Sequence, residues 1–290
     1  MNDSNIKGIL IPIGGNEDKG NGNGKDDAHK IDFIGDGILA HVVKQSGGLN
    51  AKIVVIPAAS SIPEEVADNY KDAFRKLGCT NIHILQIFER SDSEKPEAIE
   101  LIQSANAVLF SGGDQSEITR KMLGTTLHRI LLDKYRNEPF VIAGTSAGAM
   151  CMTHQMIAGG TNKDSFRKGV VDMAKGMGFI SSLIIDSHFI RRGRFGRLTE
   201  AVAKYPDLIG VGLAEDTGLI IRNKNEFQVI GSGMVIVFDT REATHNYQHI
   251  LEVGTPMTVV DMRTHILSNG DRFEIETRTI KVLPINAEFV

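Results

Sequence analysis

The chain has 290 residues, 41% hydrophobic and 23% charged, with a formal net charge of −4. It is long enough to bury a large core, and its acidic balance argues against a general nucleic-acid surface. No apolar run approaches the length of a membrane span. The two cysteines, Cys79 and Cys151, make neither a disulfide framework nor a metal spacing. The start, MNDSNIKGIL, shows no basic n-region, long apolar core or cleavage site. A reducing, cytoplasmic setting is expected.

In chain order, Ile9 to Ile13 reads as a first strand stopped by Gly14-Gly15 and followed by Asn16-Glu17-Asp18-Lys19. That tetrad lies past the carboxyl end of a strand, where α/β proteins place ligand contacts. The stretch from Gly20 to Gly24 reads as a flexible loop. Phe33, Ile34, Ile38, Val42 and Val43 recur at helical spacing. A second strand is expected over 52–56 and a helix stripe from Val66 to Leu77. A third strand (82–87), a helix (96–104), a fourth strand (107–110) and a helical pair (117–135) follow. Alternation of this kind predicts an α/β fold, a mostly parallel sheet with helices on both faces.

Phe140 to Ala143 then has the composition of a buried strand, and it runs into Gly144-Thr145-Ser146-Ala147-Gly148-Ala149. A Gly-x-Ser-x-Gly between strand and helix is a nucleophile elbow: small residues permit a sharp turn that exposes the serine hydroxyl. The Ala147 N–H, at the helix start, points toward an oxyanion formed beside Ser146. Gly113, in the Gly112-Gly113 turn after the fourth strand, is the natural second donor. The segment 158–168 reads as a loop. Strands are expected at 183–186 and 208–213, with a helix between them running to Tyr205. From Thr217 the texture becomes antiparallel β, and the tail from Asn246 is β-like. We expect one domain over 1–290, with a core over about 8–240 and a β-rich extension over 241–290.

A serine nucleophile needs a base, itself oriented by an acid. His154 would stand about eight residues down a continuing helix, roughly 12 Å from Ser146, which is out of reach. His245 and His249 have i,i+4 spacing without an evident third ligand, so no metal is expected there. His188 sits just past a strand, and Glu215 ends the next one; Asp164, in a loop, is the competing acid. Arg191, Arg192, Arg194 and Arg197 crowd the stretch after His188 and suit an acidic substrate, since guanidinium groups bind carboxylates bidentately.

Taken together, the Gly-Thr-Ser-Ala-Gly-Ala elbow, the order Ser146, His188, Glu215, the Gly112-Gly113-Asp114-Gln115 turn and the arginine-rich segment resemble the cyanophycinases. The early Gly14-Gly15-Asn16-Glu17-Asp18-Lys19 also resembles that family's Gly-Gly-x-Glu-Asp-Lys start. These are serine peptidases related to the aspartyl dipeptidases, with a class I glutamine-amidotransferase-like fold. The order of the three residues separates the chain from α/β-hydrolases, where the acid precedes the histidine.

The resemblance implies hydrolysis of cyanophycin, a poly-aspartate backbone carrying arginine on each side-chain carboxyl, to β-aspartyl-arginine. It further implies Ser146 as nucleophile, His188 as base, Glu215 or Asp164 as acid, and Gln115, Asp186, Arg192, Arg194 and Arg197 along the substrate groove, with Asp186 meeting substrate guanidinium groups. It implies no cofactor, and a homodimer. The nearest rival is a dipeptidase for small aspartyl or isoaspartyl substrates on the same scaffold. The rival from another class is a binding protein that has lost turnover.

Overall fold

The computed structural model describes residues 6–21, 31–160, 165–288 and 290. The first half alternates as the periodicity predicts: β1 (Ile9–Ile13), α1 (Ile38–Gln45), β2 (Ile53–Ile56), α2 (Pro63–Lys76), β3 (Ile82–Ile84), α3 (Pro96–Gln103), β4 (Ala107–Phe110), α4 (Gln115–Met122), α5 (Thr126–Asn137), β5 (Val141–Thr145) and α6 (Ala147–Met150). Local chemistry sets several ends. Pro63 and Pro96 open α2 and α3, where a missing N–H costs nothing. Asp114 and Thr125 cap α4 and α5 by accepting the N–H groups of Ser116 and His128.

The rest of the chain is mostly strand: β6 (Gln155–Gly160), β7 (Val171–Lys175), β8 (Leu183–Asp186), α7 (Phe195–Lys204), β9 (Ile209–Leu213), β10 (Thr217–Arg222), β11 (Glu226–Gly231), β12 (Val235–Asp239), β13 (His245–Asn246), β14 (Val259–Val260), β15 (Arg263–Leu267), β16 (Arg272–Glu274) and β17 (Thr279–Lys281). Among the described residues the main sheet runs β17-β16-β11-β10-β1-β5-β4-β2-β3. Its β1 to β3 half is parallel, and the strands beyond β1 on the other side are antiparallel.

Burial on both faces explains why β1, β2, β4 and β5 read as unbroken apolar runs. Ile11, Ile13, Val55, Leu109 and Ala143 pack against α1 and α2. Leu10, Val54, Ile56, Val108 and Ile142 face the opposite way, toward α3, α4 and α5. A second sheet, β15-β12-β9-β8, lies over that second face, contributing Leu183, Ile185, Val211 and Val237 to the same core. Its outer face, with Ile184, Ile236 and Phe238, carries Leu198, Ala201 and Val202 of α7.

Four local expectations change. The first helix starts at Ile38, not Phe33, because Gly35 and Gly37 interrupt the stripe. The third strand stops at Ile84. The helix after the elbow is a single turn, after which the chain turns into β6, so His154 is not on a continuing helix. The segment expected as a loop from 158 begins inside a hairpin, since β6 pairs antiparallel with β7 through a bulge between Ile157 and Gly159.

Candidate active site

Three consecutive carbonyls at the end of β1 hold the site together. The Ile13 oxygen accepts the N–H of Ser146 at 2.8 Å, Gly14 accepts that of His188 at 2.8 Å, and Gly15 accepts that of Asp216, next to Glu215, at 2.9 Å. Ser146 comes from the main sheet, whereas His188 and Glu215 follow β8 and β9 of the second sheet. The three backbones meet where the two sheets converge on β1. Ser146, His188, Asp216 and Asn16 all have positive φ, at 53°, 47°, 47° and 51°. Such conformations cost non-glycine residues of order 1–3 kcal/mol each and persist only where the surroundings over-determine them.

Small residues make the elbow possible. A Cβ on Gly144 would lie 2.4 Å from the Gly148 oxygen, and one on Gly148 would lie 2.3 Å from the Phe110 oxygen. Gly15, at φ +106°, passes so close to the His188 ring that a Cβ there would come within 2.4 Å of Cε1. The ring therefore rests against backbone.

The side chains form a relay. His188 Nε2 is 3.0 Å from Ser146 Oγ, and Nδ1 is 2.8 Å from Glu215 Oε1. Arg191 Nη1 donates to both Glu215 oxygens, at 3.2 and 3.0 Å. Burial first, then the charges of Arg192 and Arg194, hold the His188 pKa below its ordinary value, with Glu215 pulling the other way. Burial works against the Glu215 anion, but hydrogen bonds from His188, Asn16 and Arg191 more than offset it, leaving its carboxyl below the usual range. A neutral imidazole beside a carboxylate is the state a general base needs. The N–H groups of Gly113 and Ala147 donate to no protein acceptor among the described residues. Asp164 lies outside those residues, as does the 22–24 part of the glycine-rich loop.

Two cavities flank Ser146 and share Gly113, Ser146 and Arg192 as lining. The smaller, about 270 Å³, is walled by Gln115, Arg194, Arg197 and the β6 bulge. The larger, about 520 Å³, is walled by Asn16, Glu17, Lys19, Asn69, Tyr70 and His188. The arginines of the smaller cavity are held from beneath. Asp186 is fully buried; it accepts Arg197 Nε at 2.6 Å and Nη2, Arg194 Nη1 at 3.0 Å and the Ser187 N–H at 2.9 Å. Burial, and repulsion from Arg197 and Arg192, pull the Arg194 guanidinium down to about 10 against the attraction of Asp186, so it stays a cation at neutral pH.

This corrects the expectation that Asp186 meets a substrate guanidinium: its oxygens are sealed from solvent and occupied by protein donors. Gln115 lines the cavity, but its amide donates to the Ile157 and Ala158 carbonyls at 2.9 and 2.8 Å, clamping the hairpin bulge. A role for Glu17 beyond its place past β1 is not readable from the sequence. It is buried, its Oε2 accepting Thr145 Oγ1 at 2.6 Å and its Oε1 accepting Lys19 Nζ at 2.8 Å and the Tyr70 hydroxyl. Tyr70 and Thr145 lie 53 and 128 residues away, beyond any local pattern. Among the described residues no three His, Cys, Asp or Glu side chains are grouped to hold a metal ion, and no helix is long and apolar enough to cross a membrane.

The chain is similar to proteins already known. The chain is 36% identical over 274 residues to the cyanophycinase of Trichormus variabilis, covering 94% of this chain and 88% of that one. It is 33% identical over 279 residues to the Synechococcus elongatus cyanophycinase (96% and 82% covered). With that of Geminocystis herdmanii the figure is 31% over 272 residues (94% and 95%). Among solved structures, a peptidase from an acI-B1 Actinobacterium superposes with a TM-score of 0.60 at 20% identity, over 90% of this chain and 98% of that one. A putative peptidase E from Listeria monocytogenes reaches 0.52 at 15% identity, over 77% and 98%; at these identities the two share the fold. The model of peptidase family S51 matches residues 35–229, the span that carries the elbow, the histidine and the acid, and this chain belongs to that family.

Proposed function

We propose that this protein is a serine exopeptidase that hydrolyses cyanophycin to β-aspartyl-arginine through an acyl-enzyme. The observation that carries the reading is the relay from Ser146 through His188 to Glu215, set between two cavities of which one is lined by three arginines. Ser146 Oγ attacks the scissile carbonyl while His188 Nε2 takes its proton. Glu215, held by Arg191, keeps Nδ1 protonated and stabilises the imidazolium that forms. The N–H groups of Gly113 and Ala147 receive the oxyanion. His188 returns the proton to the leaving amine, and a water then releases the acyl group by the reverse route. Arg192, Arg194 and Arg197 bind substrate carboxylates or carbonyls, and Asp186 acts on them from below as a positioning residue. We extend the proposal to a cytoplasmic homodimer, which the resemblance to cyanophycinases supports.

The test is incubation of the purified chain with cyanophycin and with a panel of α- and β-aspartyl dipeptides, read by mass spectrometry beside Ser146→Ala. Release of β-aspartyl-arginine from the polymer, lost in the variant by a factor of about 10⁴ or more, is the expected result. Cleavage of the dipeptides alone would move the substrate to the small-peptide class. No serine-dependent product from either would overturn the peptidase reading.

A further inference from the structure

The larger cavity holds a cation that the mechanism above does not use. Lys19 lines that cavity, its ammonium bonded to Glu17 Oε1 at 2.8 Å and lying 4.7 Å from the centre of the Tyr70 ring. Its side chain is 23% exposed, whereas that of Glu17 is 1% exposed. Neutralising Glu17 does not by itself call for an ammonium that reaches the cavity. Glu17 is also supplied by the hydroxyls of Thr145 and Tyr70, both on rigid elements. An ammonium has three N–H groups, and among the described residues Glu17 takes one. The rest of its capacity is presented on the cavity wall, on a side chain already immobilised by an ion pair and a ring face. A cation held this way loses little entropy on meeting an anion. Arg192 adds a second positive charge to the same cavity, opposed by Glu17.

We propose that the larger cavity is a subsite for a carboxylate-bearing branch of the substrate, and that Lys19 is the cation that binds it. The assignment rests on the cyanophycin reading. Joining arginine through its α-amino group to an aspartyl side chain leaves the arginine's own carboxylate free on every repeat. A scissile bond between two repeats therefore has one anionic branch on each side. The arginines of the smaller cavity serve one branch, and Lys19 serves the other across Ser146.

The test compares two soluble β-aspartyl-arginine oligomers, one with free branch carboxylates and one with those carboxylates amidated, on the full chain and on Lys19→Met. With the free-acid oligomer Lys19→Met should raise KM about tenfold with kcat little changed, the size expected for one charge-assisted hydrogen bond. With the amidated oligomer the substitution should leave KM within about twofold, and Lys19→Arg should recover part of the loss on the free acid. Equal penalties on both oligomers, or none, would overturn the assignment and leave Lys19 a structural partner of Glu17. If Lys19→Met does not fold, Lys19→Gln, which still donates to Glu17, carries the same comparison. Failure of the unmodified chain to release any Ser146-dependent product would instead remove the cyanophycin reading, and this subsite with it.

Discussion

Ser146 sits at φ 53°, ψ −111°, a conformation the peptide would leave if its N–H were not tied to Ile13 and its flanking turn not packed on Phe110. On the proposed mechanism the chemistry at this scale depends on which protonation state His188 holds. Because its pKa lies below the ordinary imidazole value, kcat/KM should stay high down to below about pH 6.5 and fall as the pH drops through the lowered pKa. Glu215 raises that pKa and Arg192 and Arg194 lower it, so Glu215→Gln should move the acid limb to lower pH while cutting kcat by roughly 10²–10⁴. A pH–rate profile of both proteins checks this. An acid limb that moves upward, or a rate near that of the unaltered enzyme, would remove Glu215 from the relay and return the role to Asp164.

Elements meet at the end of β1, and two substitutions probe how. Gly15→Ala places a methyl group against the His188 ring in a backbone conformation that alanine resists. It should lower kcat at least about a hundredfold, since an ångström of misplacement is enough for that loss, while circular dichroism stays close to that of the parent. Near-parental kcat would mean that the ring has room to shift. Asp186→Asn removes the charge beneath Arg194 and Arg197, both largely buried. Breaking such a pair strands cations in a dry environment and should cost about 3–5 kcal/mol in urea unfolding. A loss under 1 kcal/mol would mean that the arginines rearrange toward the cavity and find water.

For the whole molecule, the segment after Asp239 is woven into both sheets. Residues of β15 pair along all of β12, β16 adds to β11 in the main sheet, and Leu267, Phe273 and Ile275 lie in the core between the sheets. We propose that 1–290 behaves as one domain. Phe273, stacked on Phe227 with ring centres 5.2 Å apart, should cost about 3–5 kcal/mol when changed to alanine. A chain ending at Asp239 should lack a cooperative urea transition. A folded, cooperative 1–239 fragment would show instead that the tail is an appendage.

The division between what sequence determines and what folding decides follows from the range of the forces involved. Apolar runs, proline and glycine stops and capping residues act within a few neighbours, so the alternating first half, the elbow around Ser146 and the antiparallel texture after Thr217 were legible in the residues themselves. The placement of His188 and Glu215 was legible too, since each follows an apolar strand. The sheet to which a strand belongs is not local: β8 and β9 carry the same apolar signature as the strands of the main sheet, yet pair in another. Nor is the use of a charge. Arg191 and Arg192 are neighbours of one type, but Arg191, 70% exposed, lies on Glu215 while Arg192 lines both cavities. Asp186 reads as a ligand for substrate and is instead the buried anchor of two arginines. Glu17 joins residues 53 and 128 positions away, a link that exists only once α2 and β5 are packed beside β1. Tertiary structure made those choices because a buried charge is tolerable only where the fold supplies its partners.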